Sequence, residues 1–153
     1  MLRFGILASA VPLILAGVFA RGELSSGPRP CIESGGASLQ IAEAPWHADL
    51  HVAFTDYPQA ATVRVQIVDN AETADFVMVD DADSAEANGC GGAPRFVAIS
   101  AYPSASEPII YLSTEGGADY RIFVRSKAFS LREAAALIVG ANGGHTRITA
   151  ASL

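Results

Sequence analysis

Positive charge is scarce in this chain. Nine arginines and a single lysine, Lys127, stand against sixteen carboxylates, for a formal charge of −6. Such a body repels phosphate backbones and anionic lipid surfaces, which excludes nucleic acid as a partner. Cysteine is nearly missing: Cys31 and Cys90 are the only two. That rules out a disulfide-dense scaffold and any four-cysteine zinc site. Catalytic signatures are missing as well. There is no Gly-x-Ser-x-Gly elbow, Walker loop, dinucleotide fingerprint or Cys-x-x-Cys pair. Half of the 153 residues are apolar, so the chain is neither disordered nor collagen-like, and its length suits one domain with a real core. The dominance of arginine over lysine, with abundant alanine, suggests a GC-rich, bacterial coding sequence.

One uncharged run approaches membrane length. It extends from Phe4 to Ala20 behind Arg3 and the amino terminus. Seventeen helical residues reach only about 25 Å at ~1.5 Å per residue, near the lower limit for spanning a bilayer. Residues 1–20 read either as a secretory signal peptide, cut after Ala20 in Val18-Phe19-Ala20, or as an uncleaved signal anchor. Arg3 keeps the amino end inside and the rest is exported. Without residues 1–20 the body carries nine basic and sixteen acidic side chains, a formal charge of −7. Residues 21–36, rich in Gly, Ser and Pro, read as a flexible linker. Arg29-Pro30 lacks the small apolar residues of a lipoprotein site, which argues against lipidation at Cys31.

What the body does contain is a repeated phrase. Ala48-Asp49 followed by Leu50–Phe54, Ala61-Thr62 followed by Val63–Ile67, and Ala74-Asp75 followed by Phe76–Val79 recur at a step of 13 residues. Each is a short alternating apolar strand. Asp56 and Asp69 close the first two before short polar connections. Ala37–Ile41, Arg95–Ile99, Ile109–Leu112 and Tyr120–Arg125 bring the number to seven candidate strands. Leu50, Val52, Phe54, Val63, Val65, Ile67, Tyr120, Ile122 and Val124 fall on one buried face. Phe76–Val79 and Ile109–Leu112 are apolar on both faces, which predicts central strands. Connections rich in Asp, Pro, Ser and Gly suit tight turns between neighbouring strands.

A helix closes the domain. Ser130 and Glu133 form a capping box, Phe129 and Ala134 a hydrophobic staple, and Gly140 a stop. Leu131, Ala134, Ala135 and Ile138 make its apolar stripe, and so little of its surface is polar that most of it should be buried on the sheet. The fold class expected is α+β and β-rich, about seven short strands in an antiparallel or mixed sheet with one C-terminal helix. The domain spans residues 37–145, and 146–153 form a tail.

The copies of Ala48-Asp49, Ala74-Asp75 and Ala118-Asp119 with their strands resemble the septoil-knot domains, over roughly Ala37 to Ser126. That resemblance implies a closed seven-repeat β toroid and no known activity. The insert at 80–93, the two eleven-residue steps and the terminal helix depart from the pattern.

Four sets of residues could carry function. Cys31 and Cys90 invite a disulfide in an exported body. Asp80, Asp81, Asp83 and Glu86 form an acidic loop that could hold a hard cation, without the sharp-turn glycine or terminal bidentate Glu of a calcium loop. His47 and His51 have helical metal spacing, but Trp46–Thr55 reads as strand, where four residues span about 13 Å, too far for one zinc ion. His47, His51, Asp56 and Asp69 are candidate binding residues at strand ends. No cofactor is implied. The function expected is a non-catalytic binding or scaffolding module of the cell envelope, with an unknown protein or envelope ligand as partner and membrane contact only through an uncleaved residues 1–20. The alternative is a hydrolase or metal-dependent enzyme using His47, His51 and nearby carboxylates.

Overall fold

A computed structural model of the chain describes residues 31–34, 36–79 and 92–143. The N-terminal segment, the acidic loop with Asp80, Asp81, Asp83 and Glu86, Cys90 and the C-terminal tail lie outside the described residues. Among the described residues, eight strands and one helix make an α+β, β-rich fold. In chain order they are β1 (Cys31–Ser34), β2 (Ala37–Ile41), β3 (Leu50–Phe54), β4 (Val63–Ile67), β5 (Phe76–Val79), β6 (Arg95–Ser100), β7 (Ile109–Ser113), β8 (Tyr120–Arg125) and α1 (Leu131–Ala141). The eighth strand, β1, falls within the segment read from sequence as linker. It pairs antiparallel with β2, with Ser34 opposite Ala37, and the turn between them passes through Gly36 at a φ of 80°, a conformation that suits glycine.

The strands do not pair in chain order. Their order in the single sheet is β1-β2-β6-β3-β7-β4-β8-β5, and every pairing after β1–β2 is parallel. The chain lays down β2 to β5 one place apart, then fills the gaps with β6, β7 and β8. The sheet is therefore mixed, but no tight turn joins neighbouring strands beyond β1–β2. Parallel neighbours usually need a crossover of a dozen or more residues. Here residues 42–49, 55–62 and 101–108 suffice, and the register explains why. Ile41 at the end of β2 and Leu50 at the start of β3 both sit opposite Val97 of β6. Ser100 at the end of β6 and Ile109 at the start of β7 both sit opposite Ala53. Ile67 at the end of β4 and Phe76 at the start of β5 both sit opposite Ile122. The strands are staggered like stairs. Each connection only has to step over one strand, about 10 Å, and never returns along the sheet.

Both ends of each connection hook onto the strand they straddle. Ala42 and Asp49 donate their N–H groups to Val97 and Phe96 of β6, Thr55 and Thr62 to Ile110 and Ile109 of β7, and Val68 and Asp75 to Ile122 and Arg121 of β8. A 3-10 turn interrupts each of these three loops, at Pro45–His47, Pro58–Ala60 and Ala71–Thr73, again at a step of 13. Trp46–Thr55 is thus not one strand. A turn occupies its start because Pro45 fixes φ at the first turn position, and β3 begins at Leu50.

Helix α1 starts as the sequence reads. Ser130 Oγ accepts from Glu133 N at 3.2 Å, and Ser130 N donates to a Glu133 carboxylate oxygen at 2.8 Å. Phe129 packs against the core that contains Ala134. Residues Ala134 to Gly140 are all buried, a complete cylinder rather than one stripe, whereas Leu131 at the first turn is 46% exposed. Eleven residues make a helix only about 16 Å long. It nevertheless lies against β1, β2, β6, β3, β7, β4 and β8. Seven flat strands would spread over about 29 Å, so the sheet curls round the helix. Gly140 is not the stop. It lies inside the helix, where an added Cβ would sit 3.0 Å from Val97 Cγ2, so its lack of a side chain lets β6 approach. Asn142 is the C-cap, and Gly143 beyond it takes the left-handed φ of 72°.

Leu39, Val52, Val63, Val65, Ile110 and Ile122 fill the concave face, with Leu137 and Val139 of the helix among them. Each such side chain contributes roughly 1.5–3 kcal/mol on burial. The alternation of β3, β4 and β8 places all nine expected residues in or against this core. The expectation for Phe76–Val79 fails in part: β7 is central, but β5 is an outer strand of the described sheet, with Val77 and Val79 53% and 52% exposed. Apolarity on both faces did not distinguish a doubly covered strand from an edge strand. No helix among the described residues is long and apolar enough to cross a membrane.

Candidate functional site

The second residue of the repeated phrase has one recurrent task. Asp49 accepts the N–H of Phe96 on its carboxylate at 2.8 Å while its own N–H donates to Phe96 O at 2.9 Å. Asp75 does the same with Arg121, at 2.8 and 2.7 Å, and Asp119 with Arg64, at 2.8 and 2.8 Å. Thr62 replaces the carboxylate with a hydroxyl: Oγ1 accepts Ile109 N at 2.8 Å and Thr62 N donates to Ile109 O at 2.9 Å. Each is a two-bond clamp between a loop end and the strand it straddles. Unpaired N–H groups at parallel strand starts need such acceptors. The phrase was legible in the sequence; its role was not, because the partner lies about 50 residues away in most copies. At Asp75 the clamp is reinforced by Arg121, whose Nη2 lies 3.2 Å from the carboxylate.

His51 belongs to this framework. It alternates with buried Val52, so its ring leaves the sheet on the face away from the helix, and Nε2 lies 2.9 Å from Pro45 O. Thirteen residues on, Arg64 makes the equivalent contact, Nη2 to Pro58 O at 3.5 Å. These bonds place the turns Pro45–His47 and Pro58–Ala60 on the outer face. His47 is exposed there, edge-on to Trp46 with ring centroids 6.0 Å apart. Asp56 and Asp69 are exposed on separate loops, straddling β7 and β8 respectively, so the structure does not bring them together with His47 and His51. No group of three or more His, Cys, Asp or Glu suited to a metal ion occurs among the described residues. Cys31 is half-buried and disulfide-bonded; its expected partner Cys90 lies outside the described residues.

A cleft of about 510 Å³ is walled by the ends of three loops, through Asp49, Thr62, Ser106 and Glu107, with His51 and Gly143 also lining it. Its volume suits a small ligand. Several of its polar atoms, however, already have structural partners. Thr62 Oγ1 and one oxygen of Asp49 hold strand N–H groups, His51 Nε2 meets Pro45 O, and a Glu107 oxygen accepts Ser104 N at 3.3 Å. Among the described residues, no hydroxyl of the cleft is aligned on a histidine that a carboxylate orients, the geometry nucleophilic catalysis needs. Comparison of the chain with known families, curated proteins and solved structures gives no match.

Proposed function

We propose that this chain is an exported, non-catalytic binding module of the cell envelope. One observation carries the reading: the carboxylates, hydroxyl and imidazole that meet around the cleft are engaged by backbone groups of the framework, so they present a fixed surface rather than a poised nucleophile and base. Export rests on the uncharged run behind Arg3. The resemblance to septoil-knot domains enters as part of the same proposal and rests on Ala48-Asp49, Ala74-Asp75 and Ala118-Asp119 with their following strands. The test is co-sedimentation of the exported protein with isolated cell-envelope material. Saturable binding with no change in the soluble products is expected. Release of new products that His51→Ala or Glu107→Gln abolishes would overturn the reading in favour of a hydrolase.

A further inference from the structure

The loops stepping along the outer face are not alike. Residues 42–49 straddle β6, 101–108 straddle β3 and 55–62 straddle β7, so these three are adjacent on the sheet although the chain visits them in another order. Each carries one large exposed aromatic: Trp46 at 80%, Tyr102 at 90% and Tyr57 at 71% exposure. Each also carries a proline beside or within one residue of that ring, and at least one carboxylate, Glu43, Glu107 or Asp56, with no lysine or arginine. The loops farther along, 68–75 and 114–119, have no aromatic residue. Single exposed aromatics are ordinary; one on each of three successive steps, with none on the next two, is a run that marks an interaction surface.

The staircase sets its length. From Leu50, level with the first loop, to Val63, level with the third, the stagger is about 13 Å along the strands and about 10 Å across them, so the loops cover roughly 16 Å. That is the reach of a short oligosaccharide. Flat apolar rings match the C–H faces of sugar rings, and the carboxylates and Ser104 and Ser106 hydroxyls supply acceptors for sugar hydroxyls. Of the basic groups beneath the loops, His51 meets Pro45 O and Arg64 meets Pro58 O, while His47 stands exposed beside Trp46. An anionic polymer would meet carboxylates and no lysine or arginine on these loops.

We infer that the loops bearing Trp46, Tyr102 and Tyr57 form a docking surface for an uncharged glycan. This rests on the binding-module reading and names its ligand class. The test uses the sole tryptophan as reporter. Titration of the full exported protein with cellotetraose and with tetra-N-acetylchitotetraose should blue-shift Trp46 emission with at least one of them. Tyr102→Ala should weaken that binding about tenfold, the worth of one lost ring stack, and Tyr57→Ala similarly. Both rings are exposed, so the variants should keep the wild-type circular dichroism. No shift with either sugar, a shift with spermidine or a heparin tetrasaccharide only, or a Tyr102→Ala protein that binds like wild type would each overturn the glycan assignment. If the protein still sediments with envelope material in those cases, the binding-module reading survives without it; if it does not, both fall.

Discussion

Asp119 tests the clamp most cleanly, because it works without the arginine that assists Asp75. Its carboxylate takes the N–H of Arg64 at 2.8 Å at the junction of β4 and β8, near the middle of the sheet's stagger. Asp119→Ala leaves the reverse bond, Asp119 N to Arg64 O, in place and removes only the charged acceptor. A hydrogen bond to a charged group contributes about 1.5–3 kcal/mol, and partial exposure of Asp119 favours the lower part of that range. The loss should be about 1.5–2 kcal/mol, lowering Tm by roughly 6–8 °C for a domain of this size. Asp119→Thr is the decisive companion, since Thr62 makes the same clamp with a hydroxyl. Thermal and urea denaturation followed by circular dichroism should place the Thr variant within about 1 kcal/mol of wild type and clearly above the Ala variant. If Ala matches wild type, the clamp does not stabilise the sheet. If Thr is as damaged as Ala, the equivalence of the repeats is wrong.

Two further outcomes follow from the core and its edge. Leu137 is fully buried between helix and curled sheet, so Leu137→Asp should cost several kcal/mol and abolish a cooperative thermal transition near the wild-type Tm; unchanged melting would refute the docked helix. Cys31→Ser or Cys90→Ser should each lower stability by up to about 4 kcal/mol on the chain-entropy estimate for a loop of about 60 residues, and reduction of the wild type should do the same. Two titratable thiols in the protein purified without reductant would refute pairing between them.

The sequence by itself determined the local pieces. Alternation in Leu50–Phe54, Val63–Ile67 and Tyr120–Arg125 requires strands that bury one face, because a strand's side chains alternate whatever it pairs with. Ser130 and Glu133 required a helix start, because the cap is made within four residues. The step of 13 was legible for the same reason; the 3-10 turns it repeats were not, since Trp46–Thr55 read as strand. What no local pattern contained was the partner of each strand. β3 lies between β6 and β7, and Asp49, Thr62 and Asp75 each grip a residue 46 or 47 positions away. Strand ends and starts that look suited to tight hairpins instead straddle an intruding strand, and only the registers at Val97, Ala53 and Ile122 reveal it. The same interleaving moved Phe76–Val79 to an edge and set Trp46, Tyr102 and Tyr57 on adjacent loops. Backbone hydrogen bonding between parallel strands is indifferent to side-chain type, so strand order is decided by how all the strands together wrap α1, and that is a property of the whole chain.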